Sequence, residues 1–144
     1  MKKLLALLLT LVFALSLVAC GAPASNDDDA TSSTASVVDS VNQDIVNFIS
    51  TQQETIDSIE ESYAGVLGLE LEARGNSLVY KYNYLSDLGD ISLVKTSLDS
   101  SLESSAETFA SSLTTMQLAV PGMESLIIEY YDMNGTLITS REYK

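Results

Sequence analysis

The fold of this chain is decided by residues 67–84, which read LGLELEARGNSLVYKYNY. Apolar and polar side chains alternate on both sides of the Gly-Asn pair at residues 75–76. This pattern predicts two half-buried strands joined by a two-residue turn. A slip of one residue would exchange the two faces, so the alternation specifies one register. The predicted pairs are Ala73–Leu78, Leu71–Tyr80, Leu69–Tyr82 and Leu67–Tyr84 on one face, and Glu70–Lys81 on the other.

The segments on either side of this hairpin have the periodicity of helices. In both, apolar residues recur at spacings of three or four or their multiples, which predicts helices with one buried stripe. The first stripe comprises Val38, Val41, Ile45, Phe48, Ile49, Ile56, Ile59 and Tyr63. The second comprises Ile91, Val94, Leu98, Leu102, Ala106, Phe109, Leu113 and Met116. We expect Asp90 to cap the second helix and the Pro-Gly pair at 121–122 to follow its end.

A second hairpin is expected after the second helix, with strands at Leu126–Tyr131 and Thr136–Tyr143. Two turns fit the sequence between them. One is a three-residue loop at 133–135 with Gly135 left-handed, and the other is a two-residue turn at 134–135. The order helix, hairpin, helix, hairpin predicts an α+β fold. We expect a four-stranded antiparallel sheet with both helices on one face.

The N-terminal residues have the features of an export signal. Two lysines precede the apolar run Leu4–Val18, which is shorter than the roughly 20 residues of a comfortable membrane span. Residues 17–21, LVACG, resemble the lipobox of bacterial lipoproteins. That resemblance implies a diacylglyceryl group on the thiol of Cys20 and cleavage just before it. The alternatives are an uncleaved anchor, or ordinary secretion with a buried free cysteine.

This interpretation divides the chain into three parts. Residues 1–19 are the signal peptide, residues 20–36 are the lipidated cysteine and a linker, and residues 37–144 are a small α+β domain. The linker contains only small or polar residues and a run of three aspartates at 27–29, so we expect it to be disordered. The aspartate run lacks the spacing of a calcium loop. The predicted location is the extracytoplasmic face of the cell membrane, held by lipid on Cys20.

The charge of the chain excludes several classes of partner. The whole chain has seven basic and 20 acidic residues, and its net charge is −13. Two of the basic residues and none of the acidic ones lie in residues 1–19, so the mature chain would carry −15. Such a charge argues against nucleic acid, and against electrostatic docking on anionic lipid. It permits cationic partners, although solubility alone accounts for it.

The chain lacks the residue types that most catalytic mechanisms need. The chain has no histidine and one cysteine, so neither a Ser-His nor a Cys-His arrangement can form, and no intrachain disulfide exists. We expect no metal, no cofactor and no catalytic residue. Glu70 and Glu72 form the one carboxylate pair on a strand face, but they share that face with Lys81 and Arg74. The adjacent Glu60 and Glu61 point in different directions.

Tyrosines are the remaining candidates for contact with a ligand. Tyr80, Tyr82 and Tyr84 form a stripe on one strand face, and the polar residues between them place this stripe in the core. Tyr130 and Tyr131 are adjacent on the second hairpin, so one of them must face outward. We take Tyr131 as the candidate exposed aromatic contact for an envelope protein or a glycan.

Three segments of the domain carry a resemblance to a known family. They are LELEARGNSLVYKY at 69–82, AETF at 106–109 and IIEYYDMNG at 127–135. Together they resemble small Gram-positive lipoproteins with a single domain of unknown function, numbered 4854, over residues from about 44 to 144. The resemblance supports the location and the fold, and it implies no catalytic residues.

The sequence therefore predicts a membrane-anchored lipoprotein of the cell envelope whose domain is a non-catalytic binding or interaction module. The alternative is a minimal carboxylate-dependent hydrolase that acts on wall or extracellular polymer. Metal scavenging through carboxylates is a minor variant of these functions.

Overall fold

The structure of the chain is a computed structural model that describes residues 41–144. The predicted signal peptide, Cys20, the linker and Val38 lie outside the described residues. Within residues 41–144, the helices are α1 (Gln43–Ser62), α2 (Ile91–Ser104) and α3 (Ala106–Ala119). The strands are β1 (Leu67–Arg74), β2 (Ser77–Tyr84), β3 (Ser125–Tyr131) and β4 (Leu137–Tyr143). The predicted α+β class is confirmed, and no helix in this part of the chain is long and apolar enough to cross a membrane.

The first hairpin forms as predicted. Strands β1 and β2 are antiparallel, and every predicted pair is present, including Leu71 opposite Tyr80 and Glu70 opposite Lys81. Arg74 pairs with Ser77, which leaves a two-residue turn, and Gly75 has a φ of +58°. A left-handed residue is needed at this position of a tight hairpin, and glycine adopts it without steric cost.

The prediction of an all-antiparallel sheet is wrong. The strand order is β1-β2-β3-β4, and the two central strands β2 and β3 run parallel, with Tyr80 beside Ile128 and Tyr82 beside Tyr130. Two helices connect β2 to β3, and a crossover of that length can return the chain to the same end of the sheet. Hairpin patterns specify pairing within each hairpin. They carry no information on how one hairpin lies against the other, and this is why the sequence analysis missed the parallel pair.

The predicted second helix is two helices. Its buried stripe is present in Leu98, Leu102, Phe109, Leu113 and Met116, but the helix is interrupted at Ser105. Serines 101 and 104 hydrogen-bond to backbone carbonyls of the preceding turn, and serine pairs of this kind are common at helix breaks. Asp90 caps α2 as predicted, because its carboxylate accepts the N–H of Ser92 at 2.9 Å.

The second hairpin adopts the three-residue turn of the two that the sequence allowed. The N–H of Asp132 donates to the carbonyl of Thr136 at 2.9 Å, and Gly135 has a φ of +76°. The carboxylate of Asp132 also accepts the N–H groups of Asn134 and Thr136. The β3–β4 register shifts between Tyr130 and Tyr131, next to this turn.

Helix α1 lies along the outer strand β1. It begins at Gln43, directly after Asn42, whose side chain accepts the N–H of Asp44. At its other end, a carboxylate oxygen of Glu60 accepts the N–H of Leu69 at 3.1 Å. An unpaired strand edge is prone to adding a foreign strand, and α1 closes part of this edge.

One hydrophobic core lies between the helices and one face of the sheet. Leu71, Tyr80, Tyr82 and Ile128 from the sheet join it, and each helix adds its buried stripe. The tyrosine stripe of β2 is therefore part of the core, as predicted, because Tyr80 and Tyr82 are each 1% exposed. Burial of this apolar area is the main stabilising contribution.

Candidate functional site

The second face of the sheet carries a connected set of charged side chains. They project from β1, β2 and β3 opposite the core, because successive residues of a strand alternate between faces. We call this set the polar network; its members are Glu70, Glu72, Arg74, Lys81, Glu129 and Tyr131. It is the largest connected set of ion pairs in the described residues, so we treat it as the candidate site.

Glu129 lies at the centre of the polar network. It is only 6% exposed, which is unusual for a carboxylate. Its two oxygens accept hydrogen bonds from the guanidinium of Arg74 at 2.8 and 3.4 Å, and the hydroxyl of Tyr131 donates to it at 2.6 Å. A buried carboxylate needs such partners. These contacts therefore fix the positions of the Arg74 and Tyr131 side chains against Glu129.

Lys81 connects the other two carboxylates to this centre. Its ammonium group lies 3.1 Å from Glu70 and 3.5 Å from Glu72, and 5.8 Å from the centre of the Tyr131 ring. Arg74 also contacts Glu72 at 3.3 Å. Glu72 therefore bridges the two cations, and the six side chains form one continuous set.

The polar network keeps Glu72 and Glu129 ionised. Burial would raise the pKa of Glu129, but the hydrogen bonds from Arg74 and Tyr131 outweigh burial and lower it below the ordinary value. The hydrogen bond from Arg74 likewise lowers the pKa of Glu72. The pKa of Tyr131 is raised, first because its hydroxyl donates to Glu129. These shifts hold Glu72, Glu129 and Tyr131 in the charge states that they have at neutral pH.

In this arrangement, the carboxyl groups of Glu72 and Glu129 are not prepared to donate a proton near neutral pH. A glycosidase acid needs a pKa raised towards neutrality, and the pKa values of Glu72 and Glu129 are shifted the opposite way. Among residues 41–144, no three His, Cys, Asp or Glu side chains are grouped so that they could hold a metal ion.

The two ends of the sheet differ in character. At the first, which we call the Asn42 end, the N–H of Asn42 donates to the carbonyl of Gly75 at 2.9 Å and its amide donates to the carbonyl of Pro121 at 3.2 Å. The described part of the chain therefore begins next to the β1–β2 turn. At the second, which we call the Leu85 end, β2 and β3 end side by side and β4 begins.

Exposed apolar side chains concentrate at the Leu85 end. Leu85 donates its N–H to the carbonyl of Val66 at 3.1 Å, and Leu137 pairs with Tyr131. Helix α2 starts at this end and runs alongside β4. The exposed large apolar residues here are Val66, Leu85, Ile91, Leu93, Met133 and Leu137, and each is between 39% and 70% exposed. The corresponding residues at the Asn42 end are Val41 and Leu118.

A match to a family model covers most of the domain. The family is described as a domain of unknown function, DUF4854, and its model matches residues 43–143. The chain belongs to this family. No curated protein and no solved structure matches the chain. The match begins at the first residue of α1 and ends at the last residue of β4, so it covers every element described above.

Tyr131 of the DUF4854 domain lies on the sheet face opposite the core and is half-buried, whereas Tyr130 is buried and stacks on Tyr82 with ring centres 5.0 Å apart. The predicted lipid attachment site, Cys20, lies outside the described residues. Glu70 and Glu72 share one face with Arg74 and Lys81, as expected. Sequence reasoning missed Glu129, because the pair with Arg74 depends on the parallel packing of β3 against β2.

Proposed function

We propose that this chain is a lipoprotein of the cell envelope, attached through Cys20 to the extracytoplasmic face of the membrane, with a DUF4854 domain that acts as a non-catalytic binding module. The observation that supports binding is the polar network on the open face of the sheet. Its three carboxylates and two cations are paired in fixed positions, and Tyr131 lies among them. A rigid surface of this kind loses little entropy when a partner binds.

The alternative is a carboxylate-dependent hydrolase of wall polymer, and the electrostatics of the site favour the module. Glu70 and Glu72 would have to act as acid and base, but Lys81 contacts both of them. A general acid next to a cation loses its proton more readily, which is the wrong direction for catalysis near neutral pH. The match to the DUF4854 family assigns no activity to either function.

Attachment to a membrane would make weak contacts sufficient. A tethered domain meets other envelope components at a high effective concentration, so each contact needs only a modest affinity. The polar network, with one half-buried tyrosine and paired charges, is suited to such weak binding. The partners that this proposal covers are an envelope protein or a glycan.

Lipid labelling of the exported protein tests the anchor. Cys20→Ala is expected to leave an unprocessed precursor that incorporates no labelled fatty acid, because the thiol is the group that is acylated. Ser25→Ala, five residues beyond the predicted cleavage site, is the matched control and should be processed and labelled like the wild type. Labelling of the Cys20→Ala chain would contradict the proposed anchor.

An assay on isolated cell walls tests the alternative function. The full lipidated chain is incubated with walls, and soluble fragments are measured for the wild type and for a Glu70→Gln, Glu72→Gln double variant. We expect no release above buffer from either protein. Release by the wild type that the double variant abolishes would establish the hydrolase and overturn the binding module.

A further inference from the structure

We propose that the Leu85 end of the domain docks a cationic polypeptide segment whose apolar side chains alternate with Lys or Arg. This inference rests on the proposed binding function and specifies the chemical class of the partner. The first observation is the concentration of exposed apolar residues at this end, among them Leu85 and Leu137, which are about half exposed. Exposed apolar residues scattered singly need no explanation, but a group of them at one end of a small domain marks an interaction surface.

Acidic residues predominate around these apolar residues, and Lys95, the base that directly follows residues 84–94, is paired with Asp99. The three segments that form the Leu85 end are residues 60–67, 84–94 and 131–138, and none of them contains a lysine or an arginine. They contain the acidic residues Glu60, Glu61, Asp87, Asp90 and Asp132. A partner that covers the apolar residues must pass next to these carboxylates, so it needs positive charge at its periphery.

Helix α1 adds to this negative potential, whereas the partial positive charge at the amino end of α2, which begins at the same end, is met by the carboxylate of Asp90. The carboxyl end of α1 lies at the Leu85 end, and its last turn contains acidic Glu60 and Glu61 but no basic residue. The backbone dipole places a partial negative charge at the end of a helix, where a cation would be stabilising and acids are not. The arrangement is unfavourable in the free domain, and a bound cationic side chain would relieve it.

Cations elsewhere in the domain are not free to fill this role. All five basic residues of the part described, 41–144, form ion pairs with acids of the same chain. Lys81, which lies nearest to Tyr131, contacts both Glu70 and Glu72. The positive charge that complements the Leu85 end must therefore come from another molecule.

Three other occupants fit the surface less well. A second copy of the domain would present the same acidic residues and would be repelled. Residues 21–40 contain four aspartates and no basic residue, so the segment before α1 has the wrong sign. Anionic wall polymers are excluded by the same argument, because like charges at an interface cost free energy.

Binding of two designed peptides to the full lipidated chain tests this proposal. The chain is placed in phosphatidylcholine nanodiscs, which carry no net charge, and a fluorescent Leu-Lys peptide is compared with a Leu-Glu peptide of equal length. We expect the Leu-Lys peptide to bind with an affinity that falls as salt is added, and the Leu-Glu peptide not to bind.

Paired variants locate the binding surface. Leu85→Ser with Leu137→Ser should weaken binding of the Leu-Lys peptide by about tenfold, because two half-exposed apolar side chains are lost. Val41→Ser with Leu118→Ser is the matched control at the Asn42 end and should change binding by less than about twofold. Glu61→Gln with Asp87→Asn should weaken binding and reduce its salt dependence, whereas Glu54→Gln with Glu107→Gln should do neither.

The proposal is overturned if the Leu-Lys peptide does not bind, if the Leu-Glu peptide binds equally, or if the control pairs weaken binding as much as the Leu85-end pairs. The last result would mean diffuse attraction to an acidic domain. The substituted residues are exposed, so an unchanged thermal unfolding curve shows that each variant is folded. A negative result here leaves the wall assay and the lipid labelling unaffected, so failure of this inference is distinguishable from failure of the proposed function.

Discussion

Glu129 and Arg74 form a two-point ion pair, at 2.8 and 3.4 Å, across the open face of the sheet. Arg74 is the last residue of β1 and Glu129 lies in the middle of β3, 55 residues later. Between them runs β2, which neither residue belongs to. The pair therefore links the two hairpins on the face that the helices leave uncovered, as the core links them on the other face.

Removing Arg74 should destabilise the domain. Arg74→Ala leaves the nearly buried carboxylate of Glu129 without its cation, and we expect the free energy of unfolding to fall by about 1–2 kcal/mol. The value lies at the lower end of the range for buried pairs because Arg74 itself is partly exposed. Chemical denaturation measures the loss. Lys144→Ala, which breaks an exposed pair with Glu142, should cost no more than about 0.5 kcal/mol, and equal losses for both variants would refute this role.

The stability of the domain should fall in acid. The pKa values of Glu129 and Glu72 in the folded chain lie below their ordinary value of 4.5, so the unfolded chain binds more protons as the pH falls. Their contribution is complete above about pH 4.5 and is lost as the pH falls through the lower folded pKa values. The free energy of unfolding, measured from about pH 6 to about pH 3, should decline less steeply for Glu129→Gln than for the wild type. Parallel profiles would contradict the assignment.

Removing either of two tyrosine hydroxyls in the core should change the stability of the domain, in opposite directions for the two residues. The hydroxyl of Tyr82 is buried without a hydrogen-bond partner in residues 41–144, whereas the hydroxyl of Tyr143 donates to the carbonyl of Leu102 at 3.0 Å. Tyr82→Phe should therefore raise the free energy of unfolding, and Tyr143→Phe should lower it, each by about 1 kcal/mol. Thermal unfolding of the two variants measures the difference. A loss of stability in Tyr82→Phe would show that its hydroxyl has a partner after all.

Truncation of Tyr80 should be severe. The side chain is 1% exposed and lies between Leu71 and Ile128 in the sheet, so Tyr80→Ala leaves a cavity in the core and should cost about 3–5 kcal/mol. Tyr131→Ala is the control on the opposite face and should cost about 1 kcal/mol, since it loses one hydrogen bond and little buried area. If Tyr80→Ala melts like the wild type, the stripe is not part of the core.

Local patterns in the sequence correctly predicted the structural elements that depend on interactions between neighbouring residues. The alternation in residues 67–84 specified every pair of the first hairpin, because the side-chain period and the turn length leave one register. Asp90 and the Pro-Gly pair at 121–122 marked the ends of α2 and α3 correctly, since caps and breakers act through neighbouring residues. The core role of the tyrosine stripe also followed from the polar residues Lys81 and Asn83 between its members.

Contacts between distant segments could not be predicted in this way. The parallel pairing of β2 with β3 depends on how two helices return the chain, and nothing in either strand indicates it. Nothing in the sequence singled out Glu129, because only that pairing places it beside Arg74. The concentration of apolar residues at the Leu85 end was missed for the same reason, because Val66, Leu85 and Leu137 come from separate loops and strands.

Photocross-linking in intact cells tests most directly the claim that the Leu85 end and the open face of the sheet form the binding surface. A photoreactive amino acid replaces Leu137, which is exposed opposite Tyr131, or Thr115, which is exposed on α3 and serves as the control. We predict a specific adduct with an envelope component from position 137 and none from position 115. No adduct from position 137, or equal adducts from both positions, would contradict the account.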